Sequence, residues 1–241
     1  EPKIVHLDLA VDRVDFPFIK EHFNQVEKRR FLYIGHTAWC KNISFLEKLA
    51  QELPETDFSW IGGNRSLKGL KTLGTFDFSN QEAKNIIQEY DFLITVGSAD
   101  ANPTTILEAM AWGLIPVCPV QSGYEGFSGI RNISIEDLDD TVASINKLQN
   151  VSEEQLKMWQ QDNLDCLDNH FNWKRFCSQV LNEIENKDNP DLTETNFKHR
   201  LFLLFAEFFS PSFWGRPINF FRFLKANIKY VLQNRMQKYT T

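Results

Sequence analysis

The chain has 241 residues, of which 42% are hydrophobic and 24% charged. That composition excludes a disordered chain, and the length suffices to bury a core without disulfide or metal staples. The formal net charge of −6 is uneven: from Phe197 onward eight Lys/Arg face one acid, Glu207, so the tail carries +7 and the rest −13. Tail and body should therefore meet different surroundings, and an acidic body disfavours nucleic acid as a partner. Cys40, Cys118, Cys166 and Cys177 form no CxxC or Cys/His cluster. Reduced thiols of a cytoplasmic protein, and no zinc site, are the expectation. The sequence has no signal-peptide pattern and no apolar run of transmembrane length. It opens on Glu1 and reads as a piece of a longer protein.

In chain order, Phe31–Ile34 is a short apolar run before Gly35 and predicts a buried strand. Asn42–Pro54 carries Ile43, Leu46, Leu49, Ala50 and Leu53 at helical spacing and stops at a proline. Asp57–Gly63 predicts a strand and turn, and Leu70–Phe76 a third short strand. Ser79–Tyr90 predicts a helix, with Ser79 and Glu82 spaced as a capping box. Asp91–Ser98 is a strand, 104–113 a helix and Leu114–Val120 a strand; Ser134–Gln149 and Ser152–Leu167 are helices. Strands that are continuous apolar runs alternating with helices predict an α/β fold, a doubly wound parallel sheet covered on both faces. Ligands of such sheets sit at the carboxyl ends of the strands. The loops to watch are therefore Gly35–Lys41, Gly62–Arg65, Gly74–Phe78, Gly97–Thr105 and Gln121–Phe127.

The most informative stretch is Asp100–Val117, DANPTTILEAMAWGLIPV. Pro103 fits the first helical position. Thr104, Thr105 and the next residue then present backbone N–H groups at a helix N-terminus, a ready anion site. Asp100 lies just ahead of that helix and Glu108 just over one turn inside it. Carboxylates suit sugar hydroxyls, so the group offers N–H donors to phosphate and acceptors to hydroxyls on either side. A nucleotide sugar has that pattern. Taken alone, the same two acids also fit a helix cap and a solvated helix former.

The stretch resembles the signature of family 4 retaining glycosyltransferases, E-G-x-P-x-x-x-L-E-A-M-A-x-G-x-P-V, with its acidic pair E-x7-E. Pro103, Leu107, Glu108, Ala109, Met110, Ala111 and Gly113 agree, and Pro116 and Val117 follow one residue later than the pattern places them; Asp100 stands for the first Glu and Ala101 for Gly. FLYIGHTAWCKN (31–42) resembles the family's G-R-x-x-x-x-K segment, with Lys41 in place and His36 where Arg is usual. NHFNWKRFCSQVLNEIE (169–185) resembles the closing helix, and VHLDLAVDRVDFPF (5–18) the linker from the family's first domain. The resemblance implies the GT-B fold, here its Rossmann-like donor-binding half with a C-terminal helical extension. It implies residues 1–30 as interdomain linker or start of the domain, 31–187 as the nucleotide-sugar domain and 188–241 as the extension. By the same resemblance Glu108 accepts ribose hydroxyls and Asp100 contacts the transferred sugar. Lys41 and His36 meet the diphosphate with the N–H groups of Thr104 and Thr105. Gly74 and Thr75 face the base, and Gly35 and Pro103 complete the donor site. A UDP- or GDP-sugar donor, a retaining hexosyl transfer and no metal are implied, as is a first domain carrying the acceptor. Without that domain the chain is expected to bind donor and not turn over.

The tail from 197 to 238 is basic and Phe-rich. In Pro217–Lys238, Phe220, Phe221, Leu224, Ile228, Val231 and Leu232 share one helical face opposite Arg222, Lys225 and Lys229. Such a helix suits a membrane interface; together with the resemblance it implies the inner membrane face, near a glycan or lipid-linked acceptor. It equally suits packing on the body or on the first domain. Two readings stand beside transfer: a GT-B epimerase or phosphorylase, and a non-catalytic scaffold.

Overall fold

A computed structural model describes residues 7–100 and 102–185, and the described residues up to Asn182 fall in one compact unit. The strands are β1 (Arg30–Ile34), β2 (Asp57–Ile61), β3 (Lys71–Gly74), β4 (Phe92–Ile94), β5 (Ile115–Pro119) and β6 (Arg131–Ile133). The helices are α1 (Ile43–Glu52), α2 (Gln81–Ile87), α3 (Thr104–Trp112), α4 (Leu138–Gln149), α5 (Glu153–Asn169) and α6 (Trp173–Glu185). The strands form one parallel sheet in the order β3-β2-β1-β4-β5-β6. The order reverses between β1 and β4, where Phe31 pairs with Phe92 and Leu32 with Leu93. In open α/β sheets that reversal opens a crevice at the carboxyl ends of the strands.

The continuous apolar strands are explained by burial on both faces. Phe31, Tyr33, Phe92, Ile94, Ile115 and Val117 point into a core shared with Leu46 and Leu49 of α1 and Ile145 of α4. Leu32, Ile34, Leu93 and Cys118 point into a second core with Ile87, Leu107, Met110 and Leu167. Phe31 sits at the centre of the first, 4.7 Å from the ring of Phe92 and 5.2 Å from that of Phe58.

Several local expectations are corrected. Ser79 does not cap α2: Asn80 holds that position without a side-chain bond. Asp77 has captured Ser79 instead, accepting from its N at 3.0 Å and its Oγ at 2.7 Å in a local turn that competes with the cap. Pro103 is the N-cap of α3, not its first helical residue, because its ψ of 125° is extended. Helix α4 starts at Leu138, four residues late. Asp137 is its cap, accepting from Asp140 N at 3.1 Å, while Ser134 Oγ accepts from Glu136 N and Asp137 N in the preceding turn. Strand β6 was not expected at all.

Helix α5 starts at Glu153, and Ser152, the first residue of the predicted helix, is its cap: Ser152 Oγ accepts from Gln155 N at 3.2 Å. Ser152→Ala should cost about 1 kcal/mol, read as a lower midpoint in urea with unchanged slope.

The segment ahead of β1 is fastened to the domain along its length. Val11 N donates to Phe171 O, and Ile19 N and Lys20 N both donate to Trp112 O. Asp8 contacts His170 at 2.9 Å and Arg175 at 3.1 Å. Arg13 makes a forked pair with Asp168 at 2.8 and 2.7 Å. Deepest is Asp91, which takes bonds from Asn24 N, Asn24 Nδ2 and Arg30 N at 2.8 to 2.9 Å and pairs with Lys20 Nζ at 3.2 Å. No helix among the described residues is long and apolar enough to cross a membrane. The expected extension, 188–241, with its basic stretch 197–238, lies outside the described residues.

Candidate functional site

The loops after β1 and β4 flank the crevice at the reversal. The first runs from Gly35 through a single 3-10 turn, Trp39–Lys41, into α1. Asn42 ends that turn with φ 51°. The second runs from Thr95 to Pro103 and delivers the N-terminus of α3. A backbone bond stitches the two together, Ser98 N donating to Cys40 O at 3.1 Å. Gly97 makes the close approach feasible. A Cβ there would lie 2.7 Å from Asp100 Cβ and 3.2 Å from Cys40 O.

Across this seam Lys41 Nζ meets Asp100 Oδ2 at 2.5 Å, with both side chains about four-fifths buried. Two residues 59 positions apart, predicted separately as a phosphate contact and a sugar contact, are thus one ion pair spanning the crevice.

The N-terminus of α3 lies on the same loop. Thr104 and Thr105 open the helix, where backbone N–H groups have no intrahelical acceptor. The third N–H is not free as expected: Ile106 N donates to Pro103 O at 3.1 Å. The helix start therefore presents two such donors, Thr104 N and Thr105 N, where three were expected. Glu108 sits one turn in, half-buried. Burial raises its carboxyl above the ordinary range, and a hydrogen bond from the Thr104 side chain offsets part of that. Pro103 O is held from behind by the buried Tyr124 hydroxyl at 3.3 Å, and Asn102 N donates to Ser122 O at 3.0 Å. The 121–127 loop therefore braces the 100–105 loop.

His36 is exposed. Its carbonyl accepts from the Tyr33 hydroxyl at 2.7 Å, and its Nδ1 accepts from Ala38 N at 3.2 Å. With Nδ1 accepting that bond, Nε2 is the ring's remaining hydrogen-bonding group. Gly35 and Gly74 are joined through the turn after β2. Gly35 O accepts from Trp60 Nε1 at 2.8 Å and Gly74 O from Gly62 N at 2.9 Å. Gly62 must be glycine, since a Cβ there would lie 2.0 Å from Gly35 O. Thr75 is exposed beyond the end of β3.

The sequence reading did not single out Gly97, Gly62, Tyr124 or Trp39. Trp39 is 84% exposed, two residues from Lys41. All four stand in loops already marked for attention; only contacts distant in sequence reveal what they do. Gly97→Ala should push the Asp100 loop off Cys40 and break the Lys41–Asp100 contact. A crystal structure of the variant with that distance beyond 4 Å, in a domain that still folds, is the expected result.

Among the described residues no group of three or more His, Cys, Asp or Glu could hold a metal ion. A groove of about 470 Å³ lies elsewhere, between β6 and α4, lined by Phe127, Arg131, Asn132, Ser144 and Lys147 among others. It contains none of the predicted site residues.

No protein-family model and no curated protein sequence matches the chain. Solved structures do. A sucrose-phosphate synthase from Thermosynechococcus elongatus is similar with a TM-score of 0.61 at 13% identity, over 73% of this chain and 50% of that one. The C-terminal domain of a group 1 glycosyl transferase (LpcC) from Francisella tularensis is similar with a TM-score of 0.54 at 12% identity, over 68% of this chain and 100% of that one. An alpha-glucosyltransferase in complex with UDP-glucose and DNA has a TM-score of 0.58 at 15% identity, over 76% of this chain and 58% of that one. The chain thus spans about half the length of the sucrose-phosphate synthase and the whole of an isolated C-terminal domain. Its six-stranded parallel sheet with flanking helices is the Rossmann-like fold of GT-B glycosyltransferase C-terminal domains.

Proposed function

We propose that this chain is the donor-binding half of a glycosyltransferase, and that a nucleoside diphosphate sugar lies in the crevice between the carboxyl ends of β1 and β4. The observation that carries the reading is the arrangement around the seam. A lysine, a helix N-terminus and two carboxylates, Asp100 and Glu108, converge where a doubly wound sheet binds its ligand. The diphosphate takes the Lys41 ammonium and the N–H groups of Thr104 and Thr105, with His36 Nε2–H at the rim. These fixed donors and the helix dipole offset the charge that develops on the leaving diphosphate, so no metal is required. Glu108 accepts the ribose hydroxyls and Asp100 a hydroxyl of the transferred sugar. Gly74 and Thr75 border the base.

Retention of anomeric configuration, a hexosyl group and kinship with family 4 follow from the signature at 100–117. The acceptor, a glycan or a lipid-linked sugar, belongs to a first domain, and turnover requires both halves. Cytoplasmic placement at the inner membrane face, with the 197–238 segment as contact, completes the proposal.

The test is a thermal-unfolding panel of the 241-residue chain with UDP, GDP, UDP-glucose and GDP-mannose, beside ATP as control. At a hundredfold excess over Kd a ligand stabilises by roughly 2.7 kcal/mol, or about 5–10 °C for a domain of this size. A shift confined to one base and its sugar supports the reading. No shift with any nucleotide contradicts it.

A further inference from the structure

The Lys41–Asp100 pair raises a question that donor binding alone does not answer. The ammonium that should meet the diphosphate is already held by a carboxylate at 2.5 Å. We infer that Asp100 is an internal competitor for the anion site, and that this competition makes the crevice favour a glycosylated donor over the bare nucleoside diphosphate. The inference rests on the donor reading above and adds a specificity role to one of its residues.

The geometry points to competition in three ways. First, the pair is mostly withdrawn from water, with side chains 18% and 19% exposed. Its attraction is screened less than that of a surface pair. Second, the backbone just ahead of the carboxylate is tied to the loop that carries Lys41. Ser98 N is bonded to Cys40 O, and Gly97 abuts Asp100 Cβ so closely that no side chain fits between them. Third, an incoming diphosphate that takes Lys41 leaves the Asp100 carboxylate beside it without its cation, two anions in contact. Bare nucleoside diphosphate bears that repulsion in full. A nucleoside diphosphate sugar brings hydroxyl donors to the same place and gives the displaced carboxylate new partners. The pair is thus exchanged, ammonium to phosphate and carboxylate to sugar. After transfer the sugar is gone, Asp100 reclaims Lys41, and the nucleoside diphosphate is expelled. Asp100 is in this view a specificity-determining residue, and a shorter acid at this position is suited to reaching back to Lys41.

Calorimetric titration of the 241-residue chain with inorganic pyrophosphate, UDP, UDP-glucose, GDP and GDP-mannose tests this. The variants are Asp100→Asn, Asp100→Ala and Lys41→Ala, with near-UV circular dichroism confirming that each is folded. Removing the competitor should tighten pyrophosphate and nucleoside diphosphate binding by about fivefold, the scale of one modest ion pair. The preference for nucleotide sugar over nucleoside diphosphate should shrink by at least as much, and Lys41→Ala should weaken every ligand. The inference is overturned if both Asp100 variants bind pyrophosphate and nucleoside diphosphate no more tightly than the unaltered chain while Lys41→Ala still weakens them. That result leaves the donor reading standing. Absence of binding to the unaltered chain and to all variants removes both. The Asn and Ala variants together guard against a new hydrogen bond from the introduced amide.

Discussion

Asp91→Ala should lower the unfolding free energy by about 3–5 kcal/mol, the usual result of stripping one partner from a buried ion pair. Lys20 and Asp91 are 2% and 0% exposed in their side chains. Burial pulls the Lys20 ammonium below its ordinary range, and the facing Asp91 carboxylate only partly restores it. Without Asp91 the ammonium keeps one bond, to Gln88 O at 2.9 Å, and the N–H groups of Asn24 and Arg30 lose their acceptor. The loss is a large share of a domain's 5–15 kcal/mol and should lower Tm by roughly 6–20 °C. A double variant, Lys20→Met with Asp91→Leu, should be milder than either single change, because two apolar groups leave no buried charge. A double change as costly as the sum of the singles would contradict a pairwise ion bond here.

Glu108→Ala should weaken nucleotide binding by about tenfold to a hundredfold, since a charged acceptor of ribose hydroxyls contributes roughly 1.5–3 kcal/mol. The same residue is held at a cost to the fold. Burial raises its carboxyl above the ordinary 4.5. Between 4.5 and the raised value the folded chain binds more protons than the unfolded one at this group. Stability therefore falls as pH rises through that window, and above it the burden of the buried carboxylate is present in full. Glu108→Gln removes that burden. The variant should unfold at a higher temperature than the unaltered chain at pH 7, with a smaller difference at pH 4, while binding nucleotide less well. Such a trade is expected of a binding group and not of a solvated helix residue. Equal melting temperatures at pH 7 together with unchanged nucleotide affinity would return Glu108 to the solvated helix former.

The sheet was legible because its strands are unbroken apolar runs. PheLeuTyrIle at 31–34 and PheLeuIle at 92–94 bury residues on both faces. Strand β6 was not, because Arg131-Asn132-Ile133 has one buried residue and no period to read. The Ser79 cap failed for a local reason: Asp77, two residues upstream, offers a better acceptor to the same hydroxyl. In the site, the spacing of Asp100 and Glu108 around a proline and a helix start was visible, because those residues are neighbours in sequence. The pairing of Asp100 with Lys41 was not. It depends on β1 and β4 lying side by side although β2 and β3 separate them along the chain. The role of Gly97 was hidden for the same reason, since a glycine reads as a turn until the atoms its Cβ would strike are known.

The central claim is the place of the donor at the β1–β4 reversal, and the most direct measurement is an amide NMR titration of the 241-residue chain with the nucleotide sugar selected by the unfolding panel. Saturable shifts at Gly35, Lys41, Gly97, Thr104 and Thr105, sharing one Kd, are the expected result. Shifts that cluster instead around Phe127, Arg131 and Lys147, in the groove between β6 and α4, with the seam unmoved, would contradict it.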